Sequence, residues 1–185
     1  ASLRKRYMTA YGATMRGLAL DYGVDPEEYL EYVHRLPVAQ FIQPSENLDA
    51  NLRVLPWEKV IFTSSTREHT QAVLTALGIS HHFDRTFDIR DVGYVGKPAE
   101  SAYRTVLDAV GAEAERCVFL DDSLANVRAA SRLGMRTVLV GAGNCATDVD
   151  LHVAKVEDAL GLIGRLSGDR GARTSQNNTN GWESE

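Results

Sequence analysis

Two adjacent carboxylates, Asp121 and Asp122, directly follow a short apolar run at 117–120. At a separation of about 5 Å and an effective dielectric constant of about 20, their mutual repulsion costs on the order of 3 kcal/mol. A hard cation such as Mg²⁺ removes that repulsion, because it prefers carboxylate oxygens as ligands. The pair therefore predicts either part of a Mg²⁺ site or, more simply, a helix cap that benefits from the helix dipole.

Two further polar groups of residues lie where strand ends are expected. Thr63, Ser64 and Ser65 close a β-rich run that begins at Lys59, and their hydroxyls and backbone N–H groups can bind an anion or merely cap a helix. Lys97, in a loop before a proline, can neutralise a phosphate or the carboxylates, although a loop lysine is usually solvated. The order of the three groups along the chain favours one phosphate-binding site.

The elements that must position these residues alternate between strands and helices. Hydrophobic periodicity predicts strands at 59–63, 85–89, 117–120 and 136–140, and helices at 65–77, 98–110, 124–133 and 156–166. Ser65 and Glu68 fit a capping box at the start of the first of these helices. This alternation predicts an α/β fold with a parallel sheet built by right-handed crossovers, and ligands bind at the carboxyl ends of such strands.

Helical patterns also precede the first strand. At least two helices are expected within residues 2–34, and Asp25 and Pro26 mark the start of one of them. Residues 36–56 read as a loop with one short helix. We therefore expect a helical cap at 1–50, an α/β core at 51–166 and a polar, disordered tail at 167–185.

The composition limits the possible partners. The chain has 185 residues, 44% of them hydrophobic, and a formal net charge of -5. These values favour a protein with a real core and disfavour nucleic-acid or membrane partners. Cys117 and Cys145 are not clustered, which predicts a reducing compartment, either the cytoplasm or an organelle whose transit peptide has been lost. The oligomeric state stays open.

Three motifs of the sequence resemble those of the haloacid dehalogenase superfamily, and more specifically its pyrimidine 5'-nucleotidase group. The segment VIFTSST resembles the second superfamily motif, in which Thr63 would bind phosphate. YVGKPAESAY resembles the third motif and makes Lys97 its lysine. CVFLDDSLANVRAASRLGMRTVLV resembles the fourth motif, which implies Asp122 as the principal Mg²⁺ ligand, Asp121 as a second or water-mediated ligand, and Asn126 as an outer partner.

The resemblance extends to the helical segment YGATMRGLALDYGVDPEEYLEYVH, which is similar to the cap of these nucleotidases. It implies a Rossmannoid core with a small helical cap, hydrolysis of a nucleoside 5'-monophosphate such as UMP or CMP, and Mg²⁺ as cofactor. Arg16 is the candidate cap residue that closes over the substrate, and His69 also fits the pattern. These nucleotidases often have asparagine at the position of Ser64. This difference bears on the contacts with the substrate more than on the assignment to the superfamily.

The family's nucleophile would be the first aspartate of an Asp-x-Asp motif on a strand ahead of the cap, where this sequence has only Ala1 and Ser2. The pattern occurs once, at Asp148 and Asp150, without an apolar strand before it, so we do not expect it to replace the nucleophile. The absent strand would lie between the strands at 59–63 and 117–120. Because both strands remain apolar, we expect the chain to be part of a longer, active enzyme and inactive alone.

Three alternatives remain open. The substrate can be another small phosphomonoester, such as a sugar phosphate. The chain can be a non-catalytic binding or regulatory module that uses its exposed sheet. A Mg²⁺-independent dehalogenase is the weakest alternative, because the paired aspartates indicate a metal.

Overall fold

The structure is a computed structural model that describes residues 2–142 and 148–166. The predicted disordered tail at 167–185 and the cysteine at 145 lie outside the described residues. No helix within the described part of the chain is long and apolar enough to cross a bilayer.

Three helices lie within residues 3–34, where at least two were predicted: α1 (Leu3–Tyr11), α2 (Thr14–Tyr22) and α3 (Pro26–His34). Asp25 is the N-cap of α3, and its carboxylate accepts hydrogen bonds from the backbone N–H groups of Glu27 and Glu28. A proline at the first helical position and two acids in the first turn complete the expected start.

Helices α1 and α2 approach each other closely where Tyr7 meets Gly17. Tyr7 is 1% exposed, and a Cβ atom built on Gly17 would lie 2.3 Å from the Cγ atom of its ring. The Tyr7 hydroxyl donates a hydrogen bond to Asp21 of α2 at 2.7 Å. The absence of a side chain at Gly17 therefore permits the packing of this helix pair.

The segment between the cap helices and the first strand contains a 3-10 turn (Val38–Gln40) and one helix, α4 (Glu46–Arg53), in agreement with the predicted loop and short helix. Leu48 and Leu52 of α4 lie in one buried cluster with Leu160 and Ile163, which follow much later in the chain. The predicted division at residue 50 falls inside α4, and the domain boundary stays a prediction.

The remaining elements alternate as an α/β core. In chain order they are β1 (Val60–Phe62), α5 (Arg67–Leu77), β2 (Arg85–Phe87), α6 (Glu100–Val110), β3 (Val118–Asp121), α7 (Leu124–Arg132), β4 (Arg136–Val140), β5 (Leu151–Val153) and α8 (Val156–Leu166). The expected α/β class and parallel strand arrangement are confirmed.

The element boundaries differ from the predictions in three places. The N-cap of α5 is Thr66, whose hydroxyl accepts a hydrogen bond from the N–H of His69, so the capping box predicted at Ser65 was one residue early. Helix α6 begins at Glu100 instead of 98, since 97–98 lie in a turn. Strand β5 was not predicted, because three residues are too few to establish a period.

The strands form two parallel sheets within the described residues, with orders β1-β2 and β3-β4-β5. Ile61 lies opposite Thr86 in the first sheet, and Phe119 lies opposite Thr137 in the second. Strands β1 and β3 are not paired with each other. The sequence analysis predicted one sheet interrupted at this position by an absent strand.

The backbone of β1 directs alternate residues toward the unpaired edge. The carbonyl of Lys59 accepts a hydrogen bond from Asp84, directly before β2, and the N–H of Thr63 donates to Phe87 of β2, so Val60 and Phe62 direct their backbone groups away from β2. The carbonyl of Cys117 likewise accepts a hydrogen bond from Arg136 of β4. By the same alternation, Val118 and Leu120 of β3 direct their N–H and C=O groups toward the unpaired edge.

Tyr103 of α6 connects the two sheets on one face. Its ring lies edge-on to Phe62 of β1 and to Phe119 of β3, with a centroid separation of 5.4 Å in both cases. Its hydroxyl donates to the backbone carbonyl of Asn126 at 2.9 Å. Burial, followed by the charge of Asp121, raises the pKa of this hydroxyl, which therefore stays protonated.

Candidate active site

Lys97 and Asp121 form a buried ion pair at the carboxyl ends of β1 and β3. The ammonium Nζ lies 2.7 Å from Asp121 Oδ2 and donates a second hydrogen bond to the carbonyl of Phe62 at 2.8 Å. The side chains of Lys97 and Asp121 are only 10% and 6% exposed. The structure thus brings together two residues that the sequence analysis placed in one site, and Lys97 joins the two sheets.

Local hydrogen bonds fix the orientation of Asp121. Its Oδ1 atom accepts from the backbone N–H of Ser123 at 2.8 Å and from the side-chain amide of Asn126 at 2.9 Å. Asn126 lies in the first turn of α7, directly after the strand that carries Asp121. The expected proximity of Asn126 to the carboxylates is therefore present, although its contact is with Asp121.

Asp122 is exposed, and within the described residues its carboxylate has no hydrogen bond or ion pair. Asp121 and Asp122 offer hard oxygen donors of the type that Mg²⁺ prefers, but Mg²⁺ takes about six ligands. The ammonium of Lys97 already neutralises part of the Asp121 charge. The donor chemistry therefore fits Mg²⁺, while the described residues supply only part of its coordination shell.

Thr63, Ser64 and Ser65 follow β1 at the same end of the strands. The Thr63 hydroxyl accepts a hydrogen bond from the N–H of Ser65 at 3.0 Å, which forms a tight turn. Ser64 is exposed. The hydroxyls of Thr63 and Ser64 lie at the strand end and can donate to an anion, whereas the N–H groups of Thr63 and Ser65 already bond the Phe87 carbonyl and the Thr63 hydroxyl.

Gly96 allows this turn to approach Lys97. A Cβ atom on Gly96 would lie 2.8 Å from Ile89 Cδ1 and 3.2 Å from Ser64 Oγ. A larger residue there would force the two loops apart. The turn at 63–65 and Lys97 are therefore close in space, because the residue before Lys97 is a glycine.

Arg16 lies on α2, and its side chain is exposed. Within the described residues it has no hydrogen bond or ion pair. Its neighbour Met15 is buried against Ile89 and Ala102 of the core, so this part of α2 packs on the core. The structure thus does not connect Arg16 to the other site residues, and its role stays a prediction.

The sequence analysis did not identify His34, which lies at the end of α3 and reaches the turn after β1. Its Nε2 atom lies 2.9 Å from Ser65 Oγ. The ring stacks on His69 of α5 with a centroid separation of 4.5 Å, and His69 Nδ1 is buried without a partner in the described residues. No periodic or motif signal links positions 34 and 65, since their contact depends on tertiary packing.

The environment keeps His34 neutral. Burial lowers the pKa of its imidazole, and the nearby His69 and Arg90 lower it further, against a smaller opposing effect of Glu68. A neutral imidazole can accept or donate a hydrogen bond at Ser65. His34 therefore supplies a polar contact between the cap helices and the strand-end turn.

A second polar contact between the cap helices and the core centres on Arg90, in the turn after β2. Its guanidinium makes a bidentate pair with Glu27 of α3 and also contacts Glu68 of α5 and the buried Asp88. The Tyr94 hydroxyl donates to Glu27 as well. The hydrogen bonds from Arg90 and Tyr94 lower the pKa of Glu27 to about 2. This network fixes α3 against the carboxyl edge of the strands.

Asp148 and Asp150 lie away from the candidate site. Asp148 pairs with Arg128 at 2.6 Å. The carboxylate of Asp150 accepts hydrogen bonds from the N–H and the hydroxyl of Thr137, near the start of β4. Both side chains have structural partners, and the expectation that this Asp-x-Asp does not replace the nucleophile stays a prediction.

A protein-family model described as a haloacid dehalogenase-like hydrolase matches residues 13–134. A curated relative is the bifunctional epoxide hydrolase 2 of Rattus norvegicus, which is 40% identical over 62 residues. That match covers 34% of this chain and 11% of the rat protein, so the chain spans about a tenth of this relative.

Solved structures share the fold at low identity. The L-2-haloacid dehalogenase of Xanthobacter autotrophicus with covalently bound chloropropionic acid has a TM-score of 0.59 and 17% identity, covering 88% of this chain and 80% of that one. A hydrolase of Deinococcus radiodurans from the same family, with bound phosphate and sodium, has a TM-score of 0.57 and 19% identity, covering 88% and 79%. At these identities the likeness establishes the fold alone.

Proposed function

Because this chain belongs to the haloacid dehalogenase-like hydrolase family, we propose that it forms part of a Mg²⁺-dependent phosphomonoester hydrolase. The observation that carries this proposal is the Lys97–Asp121 pair at the ends of β1 and β3, beside the turn that begins at Thr63. A cation and nearby hydroxyl donors suit a phosphate dianion. An exposed carboxylate, Asp122, adjoins the pair and suits a metal ion.

The residues of the site divide into two roles. Thr63 and Lys97 bind phosphate oxygens, with Ser64 as a further donor, while Asp121 and Asp122 are the residues that would hold Mg²⁺. Bound Mg²⁺ would neutralise negative charge on the phosphate. Asn126 and Ser123 keep Asp121 in place, which preserves the geometry without a reorganisation cost during the reaction.

The nucleophile is proposed to come from an additional strand between β1 and β3. Support comes from the backbone groups of Val60, Phe62, Val118 and Leu120, which face an edge where the described residues supply no strand. An Asp-x-Asp on that strand would place a carboxylate beside Lys97 and Asp121. That carboxylate would attack phosphorus, the ester oxygen would leave with a proton from the second aspartate, and water would then release phosphate.

The proposed substrate is a nucleoside 5'-monophosphate, UMP or CMP, from the similarity of the cap segment to pyrimidine 5'-nucleotidases. Arg16 on α2 is the candidate contact to the nucleoside, and cap closure would exclude water from the site. The contacts of His34 with Ser65 and of Glu27 with Arg90 support a cap that packs at this edge of the sheet. A sugar phosphate is the alternative substrate.

The decisive experiment compares phosphate release by this chain and by the same chain preceded by an apolar strand that carries Asp-x-Asp. With Mg²⁺ and UMP, CMP or a sugar phosphate, we expect turnover only from the extended protein. Lys97→Met in that protein should reduce kcat by roughly 10²–10³-fold, as the loss of an electrostatic contact does in other enzymes. Asp122→Asn should abolish the Mg²⁺ dependence together with the activity.

Two outcomes would contradict the proposal. Turnover by the present chain that disappears with Asp122→Asn would mean that its own residues include a nucleophile. A folded, extended protein with no activity on any phosphomonoester would instead favour the non-catalytic binding module. A matched substitution on an exposed face, Arg104→Gln on α6, should leave kcat unchanged in either protein.

A further inference from the structure

Two adjacent histidines and an aspartate converge on the opposite side of the core from the candidate active site. His81 and His82 lie in the 3-10 turn Ser80–His82, and Asp49 lies on α4. The Nε2 atoms of His81 and His82 lie 3.1 and 2.7 Å from the same oxygen, Oδ1 of Asp49. The three donor atoms are all within 4.8 Å of one another.

The cluster is spatially separate from the Asp121–Lys97 pair. The 3-10 turn immediately precedes β2, so it lies at the amino end of the first sheet. The residues Thr63, Lys97 and Asp121 lie at the carboxyl ends of parallel strands. A ligand at the histidines would therefore be at the far edge of the sheet and would not contact the residues assigned to phosphate binding.

The cluster is partly enclosed. The side chain of His82 is 8% exposed and that of Asp49 is 21% exposed, whereas His81 is 59% exposed and covers the group from the solvent side. The two imidazole rings are 4.0 Å apart between centroids. Such a group has two ordered donors and one side that remains open to solvent.

Arg53 fixes the orientation of the Asp49 carboxylate. Arg53 binds the other oxygen, Oδ2, at 2.6 Å and leaves Oδ1 directed at the imidazoles. One oxygen and two imidazole nitrogens thus lie within 4.8 Å of one another, and both imidazoles contact the same oxygen.

The donor set and spacing correspond to a borderline transition metal. In a tetrahedral Zn²⁺ site, bond lengths of about 2.0–2.2 Å place neighbouring donor atoms about 3.3 Å apart. The two N···O separations of 3.1 and 2.7 Å are shorter than this by about 0.2 and 0.6 Å, so the donors would move apart to admit the ion. Imidazole nitrogen favours Zn²⁺ over Mg²⁺, which prefers oxygen ligands alone.

We propose that Asp49, His81 and His82 form a binding site for a Zn²⁺-class divalent cation, with water in the fourth position. The metal joins α4 to the turn before β2. Because Leu48 and Leu52 of α4 belong to the same buried cluster as Ile79, the bound ion stabilises the packing of this part of the core. The site does not depend on the proposed phosphatase activity.

The test uses the untagged chain and titration with Co²⁺, a spectroscopic substitute for Zn²⁺. A four-coordinate site should give visible d–d absorption that saturates at one ion per chain, and Zn²⁺ should displace the signal. Zn²⁺ should also raise Tm by a few degrees when present well above Kd. His81→Gln, at the most exposed ligand, should weaken Co²⁺ binding at least tenfold.

Control variants separate this site from others. His152→Gln removes a histidine that bonds the carbonyl of Gly141, and Asp122→Asn removes an exposed carboxylate at the other edge. Both should retain the Co²⁺ spectrum. No saturable spectrum with wild-type protein, or a spectrum lost with Asp122→Asn and kept with His81→Gln, would overturn the proposal.

Discussion

At the scale of single residues, the ion pair of Lys97 and Asp121 is the contact on which the candidate site depends most. The pair is buried, so removal of one partner leaves an uncompensated charge. Lys97→Met should therefore lower the free energy of unfolding by about 3–5 kcal/mol, measured by urea denaturation. Lys155→Met, at an exposed position, should change it by less than about 0.5 kcal/mol.

The double variant Lys97→Met/Asp121→Leu tests whether an uncompensated buried charge causes this loss of stability. Since it removes both charges, it should recover a large part of the lost stability. If the single Lys97→Met variant is as stable as wild type, the pair is solvated and the site is not organised as described.

His34 should make stability depend on pH. Its pKa in the folded protein is below the ordinary value of about 6.5, so the unfolded chain binds the proton more tightly. The stabilisation is present above about pH 6.5 and is lost as pH falls toward the folded-state pKa. Urea unfolding between pH 8 and 5 should show this decrease. The variant His34→Gln should reduce the slope of the free energy of unfolding against pH.

The charged and titratable groups around His34 are His69, Arg90 and Glu68. The pKa of Glu27 is near 2, so its protonation in the folded state lies outside this pH range. An unchanged slope in the His34→Gln variant would show that another group carries the pH dependence.

At the scale of elements, the pairing of α1 with α2 depends on Gly17. Gly17→Ala places a Cβ within 2.3 Å of the buried Tyr7 ring, so the helices must separate. We expect a loss of about 1–3 kcal/mol, as overpacked cores show. Gly161→Ala on α8 is the matched control, because nothing lies within 4 Å of its Cβ position. It should be neutral or stabilise by up to about 1 kcal/mol.

Thermal unfolding of both alanine variants measures this difference. Equal Tm values would mean that Tyr7 moves aside at little cost. Circular dichroism should show the same helix content at low temperature, since alanine favours helix at both positions.

At the scale of the whole molecule, the two separate sheets predict an alternating pattern of amide exchange. In β3, Leu120 directs its N–H toward the unpaired edge, whereas Phe119 directs its N–H toward β4. Native-state hydrogen exchange by NMR should therefore be faster at Leu120 than at Phe119, and faster at Phe62 than at Thr63. The inner strand β4, paired on both sides, should be protected at successive residues.

An added strand between β1 and β3 should reverse the pattern. In a protein extended by an apolar strand, Leu120 and Phe62 should become as protected as their neighbours. Equal protection of Phe119 and Leu120 in the present chain would contradict the described separation of the sheets.

The sequence by itself determined the local elements. The helix starting at Pro26, the helix ends at Gly78 and Gly111, and strand β4 follow from caps, glycines and periodicity, which act over a few residues. The motifs around Lys97 and Asp121 also indicated that these two residues lie together, because parallel strands place their carboxyl ends at one edge.

Only the tertiary structure decided the contacts between distant positions. Such contacts include His34 with Ser65, Arg90 with Glu27, and Asp49 with the two histidines. The shift of the α5 cap from Ser65 to Thr66 has the same origin, since Ser65 bonds His34 and Ile89 instead. These pairings depend on the packing of helices against sheets, for which the sequence has no local period.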